Sequence, residues 1–157
     1  MDKHYSLTNL LDQEEALQFT VFNNDIAWQL GSQLKAIAEY NKSAVAIEVY
    51  AFNQVIFSYA MANTTPDNLY WIKCKRQSVL RFGHSTYYLN QYNASKNREF
   101  EAQKHIDPFE YCAHGGAFPI RIKNNGLIGV VTVSGLPQKE DHRMVTEVLV
   151  KLTQPER

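Results

Sequence analysis

Twice along this chain the spacing of apolar residues switches from the period of a helix to the period of a strand, and that alternation limits the possible folds more than any other feature. Residues 44–50 carry Val45, Ile47 and Val49 at every second position, and 54–61 carry Val55, Phe57 and Tyr59 in the same way. Side chains at every second position line one face of a strand. The two runs therefore read as a hairpin turning at 51–53. A second pair, 118–123 and 127–134, brackets Asn124-Asn125-Gly126, residues that accept positive φ in a tight turn.

Helical spacing fills the intervals. Leu7, Leu10, Leu11 and Leu17 recur among polar residues in 6–19, and Ile26, Leu30, Leu34 and Ile37 form one stripe across 24–40. Thr65-Pro66-Asp67-Asn68 supplies a cap candidate, a proline at the first helical position and an acid in the first turn, predicting a helix that stops at Gly83. Residues 85–103 are polar and tyrosine-rich and read as a helix followed by a loop. Pro137, Gln138, Glu140 and Asp141 open a last helix whose Met144, Val145, Val148, Leu149 and Leu152 face a core. Hairpins separated by helices favour an antiparallel sheet with helices packed on it, an α+β fold, over alternating βαβ units.

The 157 residues are 45% hydrophobic, enough for one core, so a single domain spanning 1–157 is expected. Sixteen basic and sixteen acidic side chains cancel, leaving no positive field to hold a nucleic acid or an anionic membrane. The longest apolar stretch, 127–133, falls far short of the roughly 20 residues of a spanning helix. Met1-Asp2-Lys3-His4-Tyr5 lacks the pattern of a secretory signal, so a cytoplasmic location is expected. Cys74 and Cys112 show no CxxC or metal-ligand spacing and read as two free thiols. Lys73 and Lys75 flank Cys74, but sequence neighbours on a helix point in different directions.

Arg76 falls in the centre of the stripe made by Leu69, Ile72, Val79 and Leu80. A charge there pairs with a carboxylate, Glu48 being the candidate, or points into a pocket or interface and holds an anion. His114-Gly115-Gly116 and Asp141-His142 flank predicted strands, where loops present functional groups. The glycines either turn backbone N–H groups toward an anion or let the chain enter the sheet. His84, His114 and His142 could together hold a metal or ligate haem iron; their spacings match no zinc motif, so no metal is expected, and the absence of CxxCH excludes covalent haem while leaving axial ligation open. Ser134-Gly135 is not a nucleophile elbow. Trp28 lies on the polar side of its helix and packs either beneath the N-terminal helix or at a subunit interface. Tyr87, Tyr88 and Tyr92 form a contact surface, a stacking platform or a partly buried loop.

Four stretches together resemble a known family: Thr64-Thr65-Pro66-Asp67-Asn68 with Trp71-Ile72, then Phe82-Gly83-His84-Ser85, then His114 to Ile120 (HGGAFPI), and finally Gly129 to Gln138 (GVVTVSGLPQ) with Glu140-Asp141-His142. They are similar to the haem-degrading-domain, or GlcG/HbpS-like, family, within it to small stand-alone proteins of bacteria and yeasts. The resemblance implies a profilin-like antiparallel sheet with flanking helices and a homo-oligomer. The family name comes from a member that binds and degrades haem, whereas other members accompany glycolate use or cobalamin metabolism. The expectation is a small-molecule-binding domain without an evident catalytic motif. Its pocket near the sheet would be lined by Arg76, His84, Ser85, His114, Gly115, Gly116 and His142 and would take an anion, haem or a corrinoid. A haem-degrading protein and a structural or chaperone-associated oligomer are the alternatives.

Overall fold

A computed structural model describes residues 5–154. Its elements are α1 (Leu7–Ala16), α2 (Asn24–Tyr40), β1 (Ala46–Ala51), β2 (Gln54–Ala60), α3 (Pro66–Phe82), α4 (Thr86–Ser95), a 3-10 turn (Phe100–Ala102), β3 (Ala117–Ile122), β4 (Gly126–Ser134) and α5 (Gln138–Thr153). Each boundary has a local cause. Asn23 Oδ1 accepts from Ile26 N at 2.9 Å and caps α2. Asn68 Oδ1 accepts from Thr65 N at 3.0 Å behind Pro66, and Gly83, at φ 75°, ends α3. Ser85 Oγ accepts from Tyr88 N at 3.2 Å and starts α4, so the tyrosine-rich segment opens as a regular helix. Phe52 and Asn53 both have positive φ, the geometry of a two-residue hairpin turn.

The four strands form one antiparallel sheet in the order β2-β1-β4-β3. Its two faces differ. Ile47, Val49, Phe57, Phe118, Ile120, Val131 and Val133 point toward α2 and α5 and join Leu30, Leu34, Val145 and Leu149 in one apolar cluster. At about 1.5–3 kcal/mol per fully buried large aliphatic side chain, this face carries most of the favourable burial. Phe57 comes so close to α2 that a Cβ on Gly31 would overlap its ring, which makes glycine a packing requirement there.

α3 covers the opposite face, where the alternation leaves Ala46, Glu48, Tyr50, Ala117, Val130 and Thr132. Between α3 and the sheet, Val79, Ala117 and Val130 form a small apolar cluster. Among the described residues no helix is long and apolar enough to cross a membrane. Cys74 and Cys112 are buried free thiols, and burial pushes Cys112 up to about 11, so it stays protonated at neutral pH. Trp28, 63% exposed, meets Phe57 edge to face with ring centroids 5.3 Å apart, which places it against β2 and not beneath α1.

Candidate functional site

The centre of the α3 face is Lys75, not Arg76. Leu69 and Leu80 are both exposed, and the residues that α3 buries are Ile72, Cys74, Lys75, Ser78 and Val79. Counting the exposed leucines as core shifts the sequence-derived stripe by one residue. Arg76 therefore sits at the flank of the buried face, where its Nη1 lies 2.6 Å from Glu48 Oε1 and its guanidinium lies 4.6 Å from the centre of the Tyr50 ring. The Glu48 pairing expected from sequence is present. Burial raises the Glu48 carboxyl, against the pull of Arg76.

Lys75 is 4% exposed and reaches between the start of β3, the end of β4 and the first turn of α5. Its Nζ donates to Gly115 O at 2.9 Å, Val133 O at 3.1 Å and Asp141 Oδ2 at 3.2 Å. An ammonium has three protons, so all of its donors are engaged. Asp141 also accepts from Leu136 N at 3.0 Å and Gly135 N at 3.3 Å. Burial pushes the Asp141 carboxyl up to about 6, against the pull of Lys75 and the two backbone N–H groups, so it is ionised at neutral pH.

Above this buried pair opens a cleft of about 280 Å³, lined by Asp67, Asn68, Trp71, Lys75, His114, Ser134, Gly135, Leu136, Gln138 and Asp141. The first turns of α3 and α5 both border it, and each also brings a carboxylate to the lining, Asp67 and Asp141, so the positive helix ends meet there beside two acids. Trp71 Nε1 donates to Asp67 Oδ2 at 3.0 Å, and the Trp71 and His114 rings stand edge to face with centroids 5.4 Å apart. Gln138 Oε1 accepts from Gly115 N at 2.9 Å, and Gln138 lines the cleft. His114 is half-exposed, its Nε2 4.0 Å from Glu101 Oε1.

The structure does not bring the sequence-derived site residues into one pocket. His114 lines the cleft, whereas Gly115 and Gly116, both buried, do not. Gly115 gives its carbonyl to Lys75 and its N–H to Gln138, while Gly116, at φ 134°, gives its carbonyl to Val133 N. A Cβ on Gly116 would overlap Val133 O, so close approach to β4 requires glycine there. His84 lies elsewhere, its Nδ1 3.2 Å from Glu14 Oε2, beside a separate hollow of about 310 Å³ shared with Arg121. Ser85 is the buried cap of α4.

His142 is wholly buried among Tyr5, Tyr87 and Phe118, with Nε2 2.7 Å from Gln13 Oε1. That acceptor holds the proton on Nε2, and Nδ1 has no partner among the described residues. Burial lowers the imidazole to about 3, so the ring is neutral. Sequence reasoning missed Lys75, Trp71 and Gln138 as site residues. The available signal was the Ile72, Lys75, Val79, Phe82 spacing, which puts Lys75 in line with the truly apolar positions.

A four-stranded antiparallel sheet with helices on both faces and a polar cleft at the α5 end places the chain among the GlcG/HbpS-like α+β structures. The crystal structure of Ybr137w protein superposes with a TM-score of 0.87 at 29% identity, over 94% of this chain and 89% of that one. The crystal structure of HbpS gives a TM-score of 0.66 at 15% identity, over 86% and 92%, a likeness of fold alone. Residues 22–149 match the model of the family described as haem degrading protein HbpS-like, and the chain belongs to that family. A UPF0303 protein of Psychromonas ingrahamii is 66% identical over 152 residues, 97% of this chain and 96% of the relative.

Proposed function

We propose that the protein binds a small planar molecule carrying an anionic group in the cleft over Lys75. The observation that carries this reading is the convergence of the α3 and α5 N-terminal turns on one cleft walled by Trp71 and His114. The positive ends of two helices favour an anion against the carboxylates Asp67, bonded to Trp71 Nε1, and Asp141, paired with Lys75, and one ring of the edge-to-face Trp71–His114 pair offers a flat face to the rest of the ligand. Lys75 acts from beneath. With its protons engaged by two carbonyls and Asp141, it fixes the walls and adds positive potential without direct contact.

The family description raises haem, and the histidines fit it poorly within one chain. An axial ligand needs an accessible ring nitrogen aimed into a cavity that can shelter the macrocycle. His142 has no exposed surface, His84 is turned to Glu14, and His114 borders a polar cleft at the small end of ligand pockets, which span roughly 300–1,000 Å³. No step is therefore derived through haem.

The test is a thermal-melt titration with acetate, succinate, benzoate and inorganic phosphate, repeated on His114→Ala and Trp71→Leu. Ligand bound to the folded state raises the melting temperature with concentration. The planar benzoate is expected to act at the lowest concentration, and His114→Ala to weaken it about tenfold, equivalent to about 1.4 kcal/mol. Melting temperatures that ignore all four anions, or shifts unaltered in both variants, refute the reading. In a parallel haem titration the spectrum of free haem is expected. A Soret band lost in His114→Ala would replace the anion with haem.

A further inference from the structure

The sheet has two edges, and they are finished differently. At the β3 edge, Pro119 and Arg121 stand in the strand, and residue 19 bridges to it: Phe19 N donates to Arg121 O and Lys123 N to Phe19 O, each at 2.8 Å. The β2 edge has no such cover. Its seven residues, QVIFSYA, contain no proline and no charge, Val55 and Tyr59 are exposed, and no described residue pairs with its outer side. Soluble proteins normally blunt such an edge with a charge, a proline or a covering segment.

The register shows which backbone groups are open. Met61 N donates to Val45 O at 3.1 Å, and bonded pairs alternate with non-bonded ones along an antiparallel ladder. Counting from that pair, Tyr59 with Ile47 and Phe57 with Val49 exchange bonds with β1, so the N–H and C=O of Ser58 and Ala60 point outward. Beside this edge lies a groove of about 600 Å³ between α2 and β2, walled by Trp28, Ile56, Phe57 and Tyr59. The charges on its α2 wall, Lys35 and Glu39, pair with each other.

We propose that β2 pairs with β2 of a second copy across a two-fold axis at Ser58, joining two sheets into one of eight strands. A two-fold interface must be self-complementary, and this one is. Ser58 meets Ser58 of the partner subunit through the outward N–H and C=O groups. Phe57 then faces Tyr59 of the partner subunit, twice, as a non-hydrogen-bonded pair, where side chains come closest and aromatic pairs stabilise a sheet. Ile56 faces Ala60 of the partner subunit. The proposal rests on the β2 edge and is independent of the ligand reading of the cleft.

Sedimentation of the full chain tests it, with Ser58→Lys and Ser58→Glu. Ser58 is exposed and stands opposite Glu48 in the β1–β2 register, so Ser58→Lys should melt near the wild-type temperature and Ser58→Glu somewhat below it, and both are compared as folded proteins. Wild type is expected as a dimer or larger even-numbered assembly. Either variant alone places like charges on the axis and should lower the subunit number at least two-fold, and mixing the two should restore it. Wild type that sediments as a monomer throughout the micromolar range overturns the proposal. So does an assembly that Ser58→Lys leaves intact, or a mixture of folded variants that does not reassemble.

Discussion

The two faces of the sheet are built from the same strands and solved by different physics. The face under α2 and α5 is closed by aliphatic and aromatic side chains, with Leu30, Leu34, Val145 and Leu149 each fully buried. The face under α3 is closed around charge, with Lys75 tied to Asp141 and Arg76 to Glu48, and with Thr132 Oγ1 buried without a partner among the described residues. The apolar face needs only volume and shape. On the α3 face each buried group left unpaired, as Thr132 Oγ1 is, costs about 1–3 kcal/mol and an unpaired charge more, so the ions there must be paired. The cleft opens at the rim of this second face, where buried polar groups and helix ends already meet.

The comparison can be broken or sharpened by substitution. Lys75→Met is expected to have the largest effect, a loss of about 3–5 kcal/mol in denaturant unfolding, because it strands the Asp141 carboxylate in the interior. Adding Asp141→Leu should recover part of that loss, whereas strictly additive costs would show that the two groups do not act as a unit. On the apolar face Leu34→Ala should cost about 2–5 kcal/mol through lost burial and a cavity, with no change when pH is varied.

Arg76→Met should cost about 1–3 kcal/mol, less than Lys75→Met, since Glu48 and Arg76 retain some contact with water. If Arg76→Met matched Lys75→Met, the contrast between a central and a flanking ion pair would fail. The smallest effect is a slope. His142 has a folded pKa of about 3 against an ordinary 6.5, so the folded protein binds fewer protons between those values. Stability is therefore lost as pH falls through that window, by up to about 1.4 kcal/mol per pH unit. His142→Gln keeps a donor for Gln13 and removes the titration, so its stability gap from wild type should narrow steadily below pH 6.5. A gap independent of pH would mean that His142 does not stay neutral in the folded state.

Much of the architecture was readable from residue order. Pro66 and Gly83 bounded α3, Asn124 to Gly126 marked the second hairpin, and the period-2 runs located all four strands within about two residues of their observed ends. The site was less readable. Arg76 drew attention because Leu69 and Leu80 looked like core, and both turn out to face solvent. His84, Ser85 and His142 shared motifs with His114 but not its location: one pairs with Glu14, one caps α4, and one is sealed among aromatic rings. The glycines of the HGG segment looked able to cradle an anion, and their carbonyls instead serve Lys75 and β4.

Sequence by itself determined the elements, the α+β class and the family, because period, caps and turn residues act between neighbours a few positions apart. Tertiary structure decided which of two adjacent cations became the buried one and which histidine reached a cleft. Lys75 and Asp141 stand 66 residues apart, and Gly115 and Val133 stand 40 and 58 residues from Lys75. Contacts at such separations depend on how far α3 rotates on the sheet and where α5 begins relative to β3. Those quantities follow from the packing of both faces at once, and no local pattern encodes them.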